Sequence, residues 1–203
     1  MLEITNILDV EKHIDAVDAV IFDLDDALYS EKQYVKSGFN EISSWLNIPD
    51  LANEMWCIFE SGGYAIDSAL KAYGLSNKKQ EALELYRSHI PHIELYSGVR
   101  EMLDRISQNK DIGIITDGRP EGQRAKLEAL KINFDKIIIT DELGGTDYRK
   151  PNPHAFERMR EWCNIDYNKM VYIGDNIKKD FIAPKRLGMQ CIWFKNEDGL
   201  YYK

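Results

Sequence analysis

The sequence predicts an α/β fold, with a Rossmann-like open parallel sheet as its core and a small helical domain inserted into that core. Short apolar runs rich in Ile and Val recur along the chain, which is typical of strands buried on both faces of a parallel sheet. Segments with helical periodicity separate the later runs, and this alternation indicates βαβ units. One long stretch, residues 31–92, lacks a convincing strand pattern and therefore predicts the helical insertion.

Five apolar runs are the predicted strands of the sheet. Each is short, and each is too continuously apolar to alternate between a buried and a solvated face. The five are AVIF before Asp23, IGII before Thr116, KIIIT before Asp141, MVYI before Gly174 and QCIWF near the end of the sequence. A helical segment lies between each pair of the last four runs, as parallel neighbours require.

Three segments are predicted to be helices that flank the sheet. GVREMLDRISQ has apolar residues at the i, i+3, i+4, i+7 spacing of one helix face, from Val99 to Ile106. RPEGQRAKLEAL carries Pro120 near its start, where a missing N–H costs little. NPHAFERMREWC places Phe156 and Met159 on one side. Together with the strands, these helices predict an open sheet that is covered on its faces.

The helical insertion is predicted from the pieces QYVKSGFNEISSWL, DLANEMWCIFE and NKKQEALELYRSHI, which SGGY and YGLS separate. Gly-containing polar clusters of this kind are loop signals between periodic segments. We therefore divide the chain into a core domain of residues 1–30 and 93–203 and a helical domain of residues 31–92. No internal repeat and no low-complexity tract interrupts this organisation.

Composition limits the classes of partner. The 203 residues are 44% hydrophobic and carry a formal net charge of −8, so they can bury a full core but would repel a nucleic-acid polymer or an anionic membrane surface. The three widely spaced cysteines suggest neither a disulfide framework nor a zinc site. The acidic N-terminal segment does not resemble a secretory signal, and we expect a cytoplasmic protein.

Polar side chains follow several of the predicted strands. In an open α/β sheet the ligand site lies beyond the carboxyl ends of the strands, so these side chains are expected at one edge of the sheet. The set comprises Asp23 and Asp25 after the first strand, Thr116 and Asp117 after the second, Asp175 after the fourth, and Lys150 in the loop after the third.

Such a set predicts a metal-dependent reaction at phosphorus. Converging carboxylates raise one another's pKa unless a cation lies among them, and oxygen ligands suit Mg²⁺, which also binds substrate phosphate. A carboxylate can attack phosphorus and form an aspartyl-phosphate. Asp23 and Asp25 lie two positions apart on an extended chain and so face the same side, one as the nucleophile and the other as the acid and base.

Four motifs resemble those of the haloacid dehalogenase superfamily of hydrolases. FDLDDALY resembles the first, IITDG the second, the Lys of RKPNPHAF the third and GDNIKKD the fourth, and they occur in family order along the chain. The resemblance implies a Mg²⁺-dependent phosphatase that hydrolyses a small phosphorylated metabolite through an aspartyl-phosphate. It also implies that residues 31–92 are a helical cap, which closes over the site and selects the substrate.

The resemblance implies a role for each matching position. Asp23 is the nucleophile, and Asp25 is the acid and base that protonates the leaving group and then activates water. Mg²⁺ is held by Asp23, the Asp25 main-chain carbonyl and Asp175. The phosphoryl group is bound by Thr116, Asp117, Gly118 and Lys150, of which Thr116 and Lys150 also act in catalysis. Asn176 and Asp180 support the site.

Two features depart from the family pattern. Ala27 stands where the first motif usually has Thr or Val, and the loop DELGGTDYRK before Lys150 is longer than is common.

Three other functions stay open. Carbon–halogen hydrolysis is disfavoured by Asp25 and Asp175, whereas a phosphomutase or phosphotransferase would share every core residue. An impaired binding protein of the same fold is the third alternative, and Ala27 is the feature that favours it.

The sequence does not specify the substrate. Sugar phosphates, nucleoside monophosphates, phosphoglycolate-like acids and lipid or polyol phosphates all remain open. Lys36, Arg87 and Arg119 are candidates for binding the polar groups of the substrate beyond its phosphate. We expect a monomer or a homodimer.

Overall fold

A computed structural model describes residues 1–134 and 136–202 of the chain. Six parallel strands form one sheet in the order β1-β6-β5-β2-β3-β4. The strands are β1 (Leu2–Ile4), β2 (Ala19–Phe22), β3 (Asp111–Thr116), β4 (Lys136–Ile139), β5 (Met170–Gly174) and β6 (Gln190–Phe194). The predicted core segment 93–203 includes Asp135 and Lys203, which lie outside the described residues.

Eight α-helices accompany the sheet. They are α1 (Glu31–Leu46), α2 (Leu51–Glu60), α3 (Ala65–Ala72), α4 (Lys79–Ser88), α5 (Val99–Ser107), α6 (Pro120–Ala129), α7 (His154–Cys163) and α8 (Ile182–Leu187) among the residues that the structure describes. The parallel sheet and its flanking helices confirm the predicted α/β fold class, and each of the five apolar runs forms a strand. A short 3-10 helix, Ile7–His13, joins β1 to β2.

Strand β1 was not predicted, and the segments that form helices α3 and α8 were not identified. Strand β1 has three residues and lies at the edge of the sheet, where Leu2 and Ile4 pair with β6. A run that short carries too little periodicity to be recognised. Helices α3 and α8 have eight and six residues, which is also too short for a clear amphipathic pattern.

The core has an apolar layer on each face of the sheet. Strand β2 lies between β3 and β5 and is fully buried, so its alternate side chains serve opposite layers. Val20 and Phe22 pack in one cluster with α5 residues such as Met102. Ile21 packs in the other cluster with α7 residues such as Phe156. This burial on both faces explains why the strands read as continuous apolar runs.

Helices α1 to α4 enclose a third apolar cluster. Residues 31–92, all of which the structure describes, contain no strand. Their cluster includes Phe39 and Ile42 of α1, Met55 of α2 and Leu70 of α3. Among the described residues, no helix combines the length and the apolar character needed to cross a membrane.

The sheet order brings three strand ends together. Phe22 at the end of β2 is in register with Ile114 of β3 and Ile173 of β5. The residues that directly follow β2, β3 and β5 therefore lie at one edge of the sheet, which is where ligands bind in open α/β folds.

Candidate active site

A cavity of about 280 Å³ opens at this edge of the sheet. Polar and charged side chains line much of it, with contributions from the core strand ends and from helices α1, α4 and α6. The predicted site residues that line the cavity are Asp23, Asp25, Asp117, Gly118, Asp175 and Asn176. The cavity is of a size that suits a small ligand.

Lys150 lies beneath the cavity floor and is completely buried. Its Nζ is 2.9 Å from Asp23 Oδ2 and 3.0 Å from Asp180 Oδ1, and it donates a hydrogen bond of 2.9 Å to the Tyr172 hydroxyl. Burial alone would lower the pKa of Lys150, but Asp180 and Asp23 outweigh burial and hold that pKa well above its usual value. Lys150 is therefore a fixed positive charge directly against Asp23.

Asp180 is held in place by the loop that follows β5. Its Oδ2 accepts a 2.9 Å hydrogen bond from the Asn176 backbone N–H, while its Oδ1 faces Lys150. A Cβ at Gly174 would lie 2.5 Å from Asp180 Oδ2. Glycine at the end of β5 is thus required for the carboxylate to pack against the strand. In this position Asp180 forms an ion pair with Lys150.

Three carboxylates form a candidate metal site. Single oxygens of Asp23, Asp175 and Asp180 all lie within 4.8 Å of one another. Burial, with the neighbouring carboxylates as further causes, raises the pKa of Asp175 to about 9, and burial raises that of Asp23 to about 7. A hard divalent cation would relieve this crowding of negative charge. The donor set therefore fits Mg²⁺.

The Asp25 carboxylate is not part of this cluster and has other partners. Its Oδ1 lies 2.7 Å from Lys126 Nζ and also accepts a hydrogen bond from the Tyr29 hydroxyl, and its Oδ2 accepts one of 3.0 Å from Gln123 Nε2. Burial alone would raise the pKa of Asp25, but the Lys126 ammonium and the hydrogen bonds from Tyr29 and Gln123 together outweigh burial and hold that pKa below its usual value. The neighbouring Ala27 is completely buried.

Thr116 and Asp117 stabilise the conformation of the loop after β3. Thr116 is buried, and its Oγ1 accepts a hydrogen bond of 2.5 Å from Gln123 Nε2. Asp117 Oδ1 accepts hydrogen bonds from the Thr140 hydroxyl and the Lys150 backbone N–H, and its Oδ2 accepts one from Lys179 Nζ at 2.7 Å. The Asp117 carboxylate therefore ties together the loops after β3, β4 and β5.

Gly118 lets the same loop turn towards α6. Its φ is +144°, and a Cβ there would lie 3.1 Å from the Gln123 side chain. A larger residue would be strained at this φ and would push Gln123. Since Gln123 contacts both Thr116 and Asp25, Gly118 indirectly supports the hydrogen bonds of the acid–base candidate.

The predicted residues thus fall into two groups. Six line the cavity, whereas Thr116, Lys150 and Asp180 do not line it and are buried. Arg87 and Arg119 also line the cavity, as suggested for substrate contacts. Lys36 does not; its Nζ lies over the Trp56 ring, 4.2 Å from the centroid.

The sequence did not identify eight further residues of the cavity wall: Glu31, Tyr34, Gly122, Gln123, Lys126, Arg149, Lys179 and Tyr201. Gln123 and Lys126 are three residues apart and so share a face of α6, and that face is buried. A buried polar face could have been suspected once the register of α6 was known. Lys179 carries no such signal, because nothing in its spacing separates it from the exposed Lys178.

Comparisons with known proteins show the family of this chain. The model of the haloacid dehalogenase-like hydrolase family matches residues 20–194. A glyceraldehyde 3-phosphate phosphatase of Methanocaldococcus jannaschii is 27% identical over 199 residues, which cover 85% of this chain and 82% of that protein. The glyceraldehyde 3-phosphate phosphatase of Pyrococcus abyssi is 35% identical over 101 residues, or 48% of this chain and 41% of that protein. This second match spans less than half of that relative.

A solved structure with a similar fold is the HAD-hydrolase YfnB from Bacillus subtilis, which is bound to magnesium. It superposes with a TM-score of 0.66 at 19% identity and covers 89% of this chain and 88% of that chain. The superposition supports the α/β fold. The family match extends from β2 to the end of β6 and contains every predicted site residue, so the chain belongs to the haloacid dehalogenase-like hydrolase family.

Proposed function

We propose that this chain is a Mg²⁺-dependent phosphatase that hydrolyses a small phosphorylated metabolite through an aspartyl-phosphate on Asp23. The observation that carries the proposal is the pairing of Asp23 with the buried Lys150 ammonium at 2.9 Å, on the floor of the cavity. A carboxylate nucleophile held beside a fixed cation suits displacement at a phosphoryl group, because positioning and charge stabilisation supply most of the catalysis.

The reaction has two steps. An Asp23 oxygen forms a bond to phosphorus as the bond from phosphorus to the alcohol oxygen breaks, and the Asp25 carboxyl gives its proton to that oxygen. Asp25 then takes a proton from water as the water attacks the phosphorus and releases Asp23. In the resting site Lys126 favours the ionised Asp25 that the second step uses. A phosphoryl group beside Asp25 adds negative charge, which favours the protonated form for the first step.

Asp23, Asp175 and the Asp25 main-chain carbonyl are the proposed metal-binding groups, with Asp180 close behind them. When bound, Mg²⁺ neutralises charge on the carboxylates and on the phosphoryl oxygens. Lys150 supplies a further positive charge next to Asp23. The Thr116 hydroxyl and the backbone of residues 116–118 are proposed to donate hydrogen bonds to the phosphoryl oxygens.

Residues 31–92 are proposed to be a cap over the site, with residues 1–30 and 93–203 as the core domain. Glu31, Tyr34 and Arg87 come from this helical segment and line the same cavity as Asp23. The segment therefore supplies groups that can contact the leaving group of the substrate. Closure of such a cap would exclude bulk water during the first step.

Phosphate release from a panel of small phosphoesters tests this function. Glyceraldehyde 3-phosphate is the first substrate to try, because relatives carry it in their names. The panel should add glycerol 3-phosphate, a nucleoside monophosphate and p-nitrophenyl phosphate. We expect turnover with Mg²⁺ and loss of turnover with EDTA. Turnover that persists unchanged in EDTA would contradict the metal-dependent mechanism.

Mg²⁺ is expected to stabilise the fold more at high pH than at low pH. The pKa values of Asp23 and Asp175 are raised to about 7 and about 9, so the folded state holds more protons there than the unfolded state. Without metal, these two groups lower stability as pH rises from about 4 to about 9. Mg²⁺ needs their ionised forms, and saturating metal should raise Tm by about 5–10 °C at about pH 9.

Thermal unfolding with and without Mg²⁺, at about pH 6 and about pH 9, measures this difference. The Asp175→Asn variant provides the control and should lose most of the metal-dependent shift. An equal shift at both pH values would show that Asp23 and Asp175 are not the groups that bind the metal.

A further inference from the structure

Lys126 of α6 is a buried lysine to which the proposed mechanism gives no role beyond favouring the ionised form of Asp25. Its side chain is 6% exposed, and its Nζ lies 2.7 Å from Asp25 Oδ1. Lysine is almost never buried unless it is paired, because removing an ammonium from water is costly. The pairing with Asp25 thus accounts for the burial, and it places a second buried lysine at the site beside Lys150, which pairs with Asp23.

Helix α6 fixes both oxygens of the Asp25 carboxylate. Lys126 holds Oδ1 together with the Tyr29 hydroxyl, and Gln123 donates to Oδ2 at 3.0 Å. The same Gln123 amide nitrogen donates to Thr116 Oγ1. Since Gln123 and Lys126 share one face of one rigid helix, α6 supplies two of the three side chains that orient the Asp25 carboxylate, and Tyr29 from the segment that carries Asp25 supplies the third.

Lys126 also contacts the helical segment of residues 31–92. The Tyr34 ring of α1 covers the ammonium, with Nζ 4.3 Å from the ring centroid, in the geometry of a cation–π contact. The helices approach closely here, because a Cβ at Gly122 would lie 3.6 Å from the Tyr34 hydroxyl and 3.9 Å from the Arg87 carbonyl oxygen. A single ammonium therefore contacts the acid–base candidate on one side and the proposed cap on the other.

We propose that Lys126 is a positioning residue, which aims Asp25 at the leaving oxygen and seats the helical segment over it. This proposal rests on the phosphatase function proposed above. Loss of Lys126 should slow the proton transfer to the leaving oxygen, while the attack by Asp23 stays intact. The defect is therefore expected to depend on how much the leaving group needs a proton.

The test compares two substrates in the Lys126→Met variant, which keeps an unbranched side chain one atom shorter and removes the charge. An alkyl phosphate, glycerol 3-phosphate, has a leaving group that needs protonation. For it we expect kcat/KM to fall by about 100-fold, within the usual contribution of general acid catalysis. 2,4-Dinitrophenyl phosphate has a leaving group that needs no proton, and its kcat/KM should fall by less than about fivefold.

Two further variants complete the design. Lys126→Arg keeps the positive charge and should recover much of the activity on glycerol 3-phosphate. Arg124→Met is the matched control on the same helix, because the Arg124 side chain is 67% exposed and pairs with Glu142 at the surface. It should match the wild type on both substrates. Thermal unfolding of each variant separates misfolding from mispositioning.

Equal losses of kcat/KM on the two substrates in Lys126→Met would overturn the proposal, because they would indicate a role in phosphate binding or in folding. If the wild-type protein hydrolyses neither substrate nor any member of the panel, the phosphatase proposal fails separately. In that case, crystal structures of the wild type and of Lys126→Met test the positioning role, because they show the direction of the Asp25 carboxylate. An Asp25 carboxylate that keeps its direction without Lys126 would refute it.

Discussion

The Asp23→Asn variant is expected to lose phosphatase activity by about 10,000-fold or more, because an amide cannot attack phosphorus and no aspartyl-phosphate can form. The fold should survive this change. Asp23 is a buried carboxyl whose pKa burial raises to about 7, so ionising it opposes folding and its replacement by a neutral amide removes that cost. Lys150 keeps Asp180 as its partner at 3.0 Å.

Phosphate release gives the rate, and mass spectrometry of acid-quenched protein gives the covalent intermediate. A phosphoryl adduct on wild-type protein that is absent from Asp23→Asn would identify the nucleophile. Asp18→Asn is a matched control, since Asp18 is an exposed carboxylate just before β2 and should leave the rate unchanged. Substantial turnover by Asp23→Asn, with an adduct on another residue, would reject Asp23 as the nucleophile.

The positions of Asp23, Asp25 and Asp175 at one sheet edge could be predicted because each lies in or beside a motif that follows a buried strand. The structure shows that the third acid of the first motif, Asp26, has a different use. It is fully buried at a φ of 53°, and its two oxygens accept hydrogen bonds from the Glu31 and Leu200 backbone N–H groups. Asp26 thus joins the start of α1 to the C-terminal segment.

Sequence alone could not assign this role to Asp26, nor the role of Lys126. Both depend on contacts across long stretches of chain: Leu200 is 174 residues from Asp26, and Lys126 is 101 residues from Asp25. Strand ends are predictable because periodicity and turn chemistry are local. A buried polar partner becomes visible after the helices have been packed, since burial and pairing are properties of tertiary structure.

The Lys150→Met variant is expected to lose about 3–5 kcal/mol of stability, because it leaves two buried carboxylates without their shared cation. Lys150 is fully buried, and Asp23 and Asp180 have side chains that are 5% and 0% exposed. Few surface charges have comparable effects. Urea unfolding measures the loss, and Lys71→Met on the exposed surface of α3 is the control, with an expected change below about 0.5 kcal/mol.

The loss in Lys150→Met should also depend on pH. The folded-state pKa of Asp23 is raised to about 7 with Lys150 present, and removing the cation raises it further. The unpaired charge therefore costs stability above that pKa, and the cost disappears as Asp23 is protonated below it. We expect a smaller loss at about pH 5 than at about pH 8. A loss that is independent of pH would mean that packing, rather than charge, is what Lys150 contributes.

A double-mutant cycle separates the part of this loss that belongs to Asp180. If the ion pair at 3.0 Å is the source, then adding Asp180→Asn to Lys150→Met removes an uncompensated carboxylate. The double variant should then be more stable than the sum of the two single losses predicts, by about 1–3 kcal/mol. If the two single losses of stability add strictly, the main partner of Lys150 is Asp23 rather than Asp180. In that case the buried lysine acts chiefly on the nucleophile, and Asp180 serves mainly as the partner of the Asn176 N–H.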